Sequence, residues 1–600
     1  MRVFLVLLTA FTMYAQVKTF SVADFGARGD GIADDGPAIA KAMQAAQAYG
    51  KGAVIRFGTG VYRTGKTAIS RGYDESPSTR PASFYVRGVT NFTILGEHAK
   101  VIETEPGMGV FYFEECSNIA LAGLTVDYDP LPFTQGTIVG WNADDATFDL
   151  TVDAGFPLPN FPQFTNATVK RGQVIFDTNG TYIQSRIPHF FVNKEWQHVS
   201  GNIWRATLGG PWYDKNRNTD ANPLRSPLLT TGARFWFMTK TFSSVMTFHD
   251  CYDVRAENMI VHAGSFFLGM KRGARLIVRN CAVDIPAGSG RLLSCCDVMH
   301  VASQTRGPTV IENNRFCWGG DDPINGHSDG QYITGSDSPE TITIRTYLPN
   351  MFAPGDMLEF VSGKGVIKGA AAIKDLSVEV TNKWPRIIYR IGLDRAVADI
   401  NTNKGGDYVY DLSACGAPLF LRSNYFQYTC RTLPFTTDAV IEGNTYVSNQ
   451  GALGIALHCE PPTTYPALEG PSPRNIVIRD NHFVGSFIAL HANTPGDIRN
   501  IVLSNNSFTE FAEPALRFYG GKDITVSQTR IDVAPGVMRY KKPYSLIWFG
   551  SCENVEVCDL LVRDMDASLD AVIRLSGMSD TELRTIRITA ETAGCPVVKR

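Results

Sequence analysis

Short β segments recur along this 600-residue chain, most with an asparagine or aspartate at an edge: NFTILG, YDVRAENMIV, ARLIVRNCAV, PTVIENNRF, DAVIEGNTYV, RNIVIRDNHF, RNIVLSNNSF, KDITVSQTRI and ENVEVCDLLV. Most hold a few β-formers in rough alternation, then a polar kink, then a second short β run. Asn475, Asn500 and Asp523 open successive copies about 25 residues apart, and Asn554 opens another after a longer loop. A fixed period of this size means one supersecondary unit stacked on the next. The unit shows no 3.6-residue period, so the predicted fold is all-β, a parallel β-helix. Asparagine suits the corners of such a coil. Its amides can hydrogen-bond in ladders, and its backbone tolerates the left-handed region.

The first coil of a solenoid exposes its core and needs a cap. VADFGARGDGIADDGPAIAKAMQAAQAYG predicts one: a strand over Phe20–Phe25, a glycine-rich turn, Asp35 as N-cap near Pro37, and an alanine-rich helix to about Tyr49. GARGDG is not a GxGxxG turn and lies in no βαβ unit, so no nucleotide site is expected. Two stretches interrupt the repeat, 131–245 and 329–421, each about the size of a small antiparallel barrel. They divide the coils into an N-terminal set with its capping helix (16–130), a middle set (246–328) and a C-terminal set (422–600). Residues 1–15 read as a secretory signal, with Arg2, an apolar run from Val3 to about Met13, and Ala15. A secreted or periplasmic protein without a membrane span is expected. The net charge of -3 gives no bias towards nucleic acid. The twelve cysteines show no CxxC or zinc-like spacing. They read as small buried hydrophobes, with one or two disulfides as the alternative.

One stretch departs from the bland repeat: WGGDDPINGH, Trp318 to His327. One coil upstream lies SCCDVMHVASQTRG, with Asp297 and His300. Asp297 and Asp321 are 24 residues apart, about one repeat, and should stack on one face. That would gather Asp297, Asp321 and Asp322 with His300, Asn325 and His327 nearby. Glycoside hydrolysis requires such a group: one carboxyl protonated to donate to the leaving oxygen, another ionised to activate water or attack the anomeric carbon. Crowded acids force their titrations apart, because ionising one opposes ionising the next. Two other readings stay open: a calcium site using Asp321, Asp322, Asn325 and Asp329, and a structural turn. No GxSxG elbow supports a serine nucleophile. Trp318 could stack on a sugar face or belong to the core. His249 and His262 read as structural, Lys271 and Arg272 as a solvated turn that could instead contact a hydroxyl, and His458 and Glu460 either as part of the cleft or as a strand-end turn.

The pairing of DVMH with DDPINGH resembles glycoside hydrolase family 110, the exo-acting α-1,3-galactosidases, and the capping segment resembles the pectin-lyase-like superfamily. The resemblance spans nearly the whole mature chain. It implies a right-handed coil with two inserted antiparallel β-barrel-like domains. It also implies removal of terminal α-1,3-linked galactose, in blood-group-B-type or linear glycans, with inversion and without metal or organic cofactor. CRTLPFTTDAVIEGNTYV resembles the family's arginine-bearing strand and nominates Arg431. YPALEGPSPRNIVIRDNHF resembles an aromatic-then-Glu-Gly-Pro segment and nominates Glu469. On this reading Asp297, Asp321 and Asp322 are catalytic, with Asp297 favoured as acid and the pair as base. His300, Asn325, His327, Trp318, Arg431 and Glu469 would contact the sugar. CRTLPF lacks a glycine after the arginine, and Tyr465 stands where tryptophan is more typical. Alternatives are a polygalacturonase-like hydrolase, although Gly-His-Gly and Arg-Ile-Lys elements are absent, a calcium-dependent lyase, and a non-catalytic glycan-binding β-helix. The oligomeric state, a dimer included, is left open.

Overall fold

The structure, a computed structural model, describes residues 17–50, 52–65, 81–165, 170–180, 190–192, 196–209, 218–219, 222–225, 230–239, 243–302, 305–382, 386–458, 468–510, 514–533, 545–564, 569–579, 582–585, 587–591 and 597–599. The signal-like segment 1–15, Glu460 and Tyr465 lie outside the described residues.

Among the described residues thirty-seven strands join in one sheet system whose ladders are parallel, which is a β-helix. One column of stacked positions shows why the sequence coils this way. Ile119, Val254, Leu276, Thr309, Leu419, Ala439, Ile476, Ile501, Ile524 and Val555 sit directly over one another in successive coils. Each is buried. Burying an aliphatic side chain contributes roughly 1.5–3 kcal/mol, and every coil repeats the gain. An aromatic column runs beside it, with Phe426, Tyr446, Phe483 and Phe508 stacked at centroid distances of 4.7, 4.9 and 4.7 Å.

The asparagines form two kinds of ladder. In the buried one, Asn314, Asn424, Asn444, Asn481 and Asn506 hand one side-chain Nδ2–H to the next Oδ1 at 2.9, 2.9, 3.0 and 3.0 Å. Each Oδ1 also accepts the backbone N–H of the preceding asparagine, at 2.9 to 3.1 Å. In the exposed ladder, Asn475 and Asn500 occupy left-handed backbone at φ 54 and 58, and Asn500 Nδ2 donates to Asn475 Oδ1 at 2.9 Å.

The cap is a helix over Gly36–Tyr49 that buries Ile39, Ala42, Met43 and Ala46 against the first coils. Two details of the predicted cap are corrected. The opening strand covers Lys18–Ser21 and gives way to a 3-10 turn over Val22–Phe25, ended by Gly26 at φ 101. Asp35 stands at the N-cap position, yet its carboxylate does not cap the helix. It accepts the backbone N–H groups of Arg28 and Gly29 at 2.6 and 3.1 Å, and so pins the glycine-rich turn.

The two insertions differ. The first is a seven-stranded antiparallel sheet beginning at Phe133–Asn142 and ending at Arg234–Thr239. Among the described residues its ladder stays open, with Phe190–Phe191 and Gln197–Ser200 at its edges. The second closes. Ser328–Ser338, Thr341–Thr346, Ile387–Leu393, Ile367–Val380, Met357–Val361 and Tyr408–Asp411 pair in a ring, the last strand returning to the first. A later segment, Leu468–Gly470, adds to the first barrel strand. The described cysteines are free thiols, mostly buried within the coils.

Candidate active site

The motif of interest lies where the β-helix enters the closed barrel. Strand Cys295–Ala302 supplies one layer and Ile324–Gly326 the next. Cys295 faces Gly319, an offset of 24 residues, whereas His300 faces Asn325, an offset of 25. One extra residue is therefore taken up between Gly319 and Ile324. Backbone bonds trace it: Asp321 N–H donates to Cys296 O at 2.8 Å, and Val298 N–H to Asp322 O at 3.1 Å. In a regular strand neighbouring side chains point to opposite faces, and an inserted residue re-aims them. Pro323, which has no N–H to give a ladder, follows directly. This irregularity brings two consecutive aspartates to one site.

Asp297 and Asp321 come together as the one-coil spacing predicts. Their carboxylate oxygens and the Cys296 Sγ all lie within 4.8 Å of one another. Asp297 and Asp322 are buried, while Asp321 is partly exposed. Arg431 Nε stands 3.5 Å from Asp322 Oδ1, which has no hydrogen-bond donor of its own. The Asp322 carboxyl is held well above the ordinary carboxylate range. Burial is the main cause, the charge of Asp321 adds to it, Arg431 opposes it, and Asp297 and Glu469 add further. An acid held in this way keeps its proton to higher pH than an ordinary carboxyl does.

A second group adjoins the aspartates. Asn325 Nδ2 donates to Glu469 Oε2 at 3.2 Å. His327 is buried and meets two oxygens, Asn325 Oδ1 at 2.9 Å from Nδ1 and Asp329 Oδ1 at 3.0 Å from Nε2. The rings of His300 and His327 meet edge to face at 5.2 Å. Phe266 packs against His300 and Phe435 against His327, with His458 beyond Phe435. Glu469 arrives from far along the chain. Its segment pairs antiparallel with the first barrel strand, opposite Asp329.

The first insertion reaches the same place. Phe176 meets the rings of both Trp318 and Tyr428, which are themselves 4.7 Å apart. Trp318 and Tyr428 adopt left-handed backbone at φ 59 and 52, an uncommon setting for bulky residues. Gly320 lies against Trp236 of that insertion, and a Cβ there would come within 2.8 Å of the indole.

All the nominated residues thus gather around the two coils, with Trp318 on the flank facing the first insertion. Sequence reasoning missed Cys296, Phe266, Phe435 and Tyr428, whose roles depend on cross-coil packing, and it weighed Asp329 only as a calcium ligand. Arg272, expected in a solvated turn, is instead buried in an ion pair with Asp250 at 3.1 Å, because the coil stacks the two residues. His249 bonds the Tyr112 hydroxyl and His262 the Asp284 carbonyl, both structural roles.

Among the described residues two groups bring metal-ligating atoms close enough for an ion: His300, His327 and Glu469, and Cys296, Asp297 and Asp321. In the first, both nitrogens of His327 already face oxygen acceptors, so neither offers a lone pair. The second mixes a buried thiol with hard carboxylates, a poor match to calcium, which takes six to eight oxygens. Neither donor set matches the all-oxygen shell that calcium takes.

Residues 19–73, the cap and first coils, match the family model described as Rhamnogalacturonase A/epimerase, pectate lyase-like. Among curated protein sequences, none matches this chain significantly. Similar solved structures include the A-module of mannuronan C-5 epimerase AlgE4 from Azotobacter vinelandii, at 11% identity over 97% of this chain and 97% of that one, TM-score 0.36. An exopolygalacturonase from Thermotoga maritima is similar at 11% identity over 95% and 91%, TM-score 0.35. The catalytic unit of a GH87 α-1,3-glucanase from Streptomyces thermodiastaticus is similar at 10% identity over 97% and 69%, TM-score 0.40. At these identities and scores the likenesses say nothing of the reaction. No helix among the described residues is long and apolar enough to cross a membrane.

Proposed function

We propose that this chain is an inverting glycoside hydrolase that acts on the non-reducing ends of glycans. The observation that carries this reading is a buried carboxyl, Asp322, whose pKa is held well above the ordinary carboxylate range, set beside two further carboxylates in a partly exposed site. Asp322 is the general acid. It donates its proton to the glycosidic oxygen as the bond to the anomeric carbon breaks. Asp297 and Asp321, less than 4.8 Å apart, hold a water between them and take its proton as its oxygen attacks from the opposite face. One proton enters the leaving group and one leaves the water, so no cofactor is consumed. Inversion requires acid and base roughly 6.5–9.5 Å apart. This assignment moves the acid from Asp297, favoured on sequence, to Asp322, for an electrostatic reason that sequence does not contain.

Arg431, beside Asp322, stabilises that carboxyl once its proton is given up. His300, Asn325 and Glu469 line the sugar side. The sugar itself, α-1,3-linked galactose, rests on the resemblance of DVMH, DDPINGH and the segments around Arg431 and Glu469 to glycoside hydrolase family 110. Export from the cytoplasm rests on the signal-like first residues. The test is to follow release from a terminal α-1,3-galactose oligosaccharide by NMR, with Asp297→Asn, Asp321→Asn and Asp322→Asn variants in parallel. β-Galactose as the first-formed anomer, lost in all three variants, is the expected result. Cleavage of polyuronate with no release from galactosides would discard the sugar and keep the carboxylate chemistry. Turnover unaffected by Asp322→Asn would discard the acid.

A further inference from the structure

The hydrogen bonds around His327 form a chain that ends on Glu469, and their polarity is fixed by chemistry. Asn325 presents its amide to two neighbours: His327 Nδ1 at 2.9 Å and Glu469 Oε2 at 3.2 Å. A carboxylate only accepts, so the NH2 group must face Glu469 and the amide oxygen must face His327. His327 Nδ1 therefore donates. Its Nε2 lies 3.0 Å from Asp329 Oδ1, again an acceptor, and therefore donates as well. Imidazole donates from both nitrogens only as the cation. A buried cation of this kind requires a counter-charge, and Asp329 stands next to it.

We propose that Asp329 is a positioning residue that holds His327 as an imidazolium, and that His327 in turn locks the Asn325 amide so that Glu469 is held in place to accept sugar hydroxyls. The inference deepens the glycan-hydrolase reading and rests on it for the nature of the ligand. Residues 325, 327 and 329 alternate along a single run that leaves the β-helix at Gly326 and enters the barrel at Ser328. Asp329 is paired by backbone with Glu469, so both ends of the chain are fixed by one ladder. The groups facing His327 agree in sign. Burial alone would lower its pKa, yet the charges of Glu469 and Asp329 outweigh it, and only Lys271 works against them. The remaining neighbours are the His300 ring at 5.2 Å and the apolar ring of Phe435.

The sign of the pH dependence follows. A histidine whose folded pKa is raised keeps its charge to higher pH than the ordinary value of about 6.5. Sugar binding therefore persists to higher pH than an ordinary histidine would allow and weakens as pH rises through that elevated value. The experiment uses the whole protein with its histidines labelled at Cε1 and the His327 resonance identified by its absence in His327→Gln. At about pH 7.5, where an ordinary imidazole is neutral, wild type should show the imidazolium shift. Asp329→Asn should show the neutral shift, and Asp329→Glu should restore the cation. On terminal α-1,3-galactose substrate, Asp329→Asn should raise KM about tenfold with kcat changed less than about twofold, a loss in binding near 1.4 kcal/mol. Its alkaline limb should move to lower pH. A neutral His327 in wild type would overturn the proposal, whatever the variants do. So would an unchanged KM in a variant whose His327 has become neutral. If wild type turns over no galactoside, the hydrolase reading and the acceptor role of Glu469 fail, while the resonance still decides the charge on His327.

Discussion

The buried asparagine ladder and the aspartate cluster belong to the same solenoid, and stacking acts on them in opposite ways. An amide has both a donor and an acceptor, so one asparagine above another satisfies both, from Asn314 through Asn506. An ionised carboxylate has only acceptors, and the same vertical repeat brings Asp321 and Asp297 within 4.8 Å of each other. Asp322 beside them answers the crowding with a pKa raised well above the ordinary carboxylate range, and Arg431 at 3.5 Å opposes that rise. Repetition gives stability when the repeated group is self-complementary and chemical potential for proton transfer when it is not.

Substitutions can break this contrast. The largest effect is expected from Asp322→Asn, which should lower kcat by about a thousandfold or more, the scale of a lost general acid. The same variant should be more stable than wild type. A carboxyl whose folded pKa is raised binds more protons folded than unfolded, so wild-type stability falls as pH rises above the ordinary value of about 3.9. The stability gap between the Asp322→Asn variant and wild type should therefore widen from about pH 4 upward in denaturant titrations. If the two curves run parallel, Asp322 is not the strained acid.

Arg431→Gln sharpens the same point. Arg431 lowers the Asp322 pKa, so its removal should move the alkaline limb of kcat/KM to higher pH; a shift to lower pH would count against the assignment. Asn444→Ala tests the other member of the comparison. It strips Asn424 of its side-chain acceptor and Asn481 Oδ1 of one of its two donors, and should cost about 3 kcal/mol by urea unfolding with KM unchanged. Gly320→Ala pushes a methyl towards Trp236 and should cost about 2 kcal/mol, with a fall in kcat because Asp321 is adjacent. Asp35→Ala, which frees two N–H groups of the glycine-rich turn, should cost about 1 kcal/mol and leave kcat untouched.

Much of this was legible in the sequence because spacing alone fixes vertical neighbours in a coil. The 24 residues between Asp297 and Asp321 placed them together, and alanine-rich residues up to Tyr49 marked the helix. What escaped depended on partners elsewhere. Asp35 has the residue type and position of a cap, yet its carboxylate turns to Arg28 and Gly29. Arg272 reads as surface until Asp250 stacks beneath it. The extra residue between Gly319 and Ile324 leaves no signature in composition, though Pro323 hints that the ladder is interrupted. The openness of the first insertion and the closure of the second depend on which edges meet, which alternation does not encode.

The return of Leu468–Gly470 to the first barrel strand carries a consequence for how the protein comes into being. Glu469 is 144 residues beyond Asn325, and the whole barrel and further coils are made in between. A nascent chain released up to residue 460 would own its three aspartates and Arg431 but not the residue opposite Asn325. On the proposed reading the acid chemistry would thus be assembled early in synthesis and the grip on the ligand late, so a truncated product would be disarmed by its own topology.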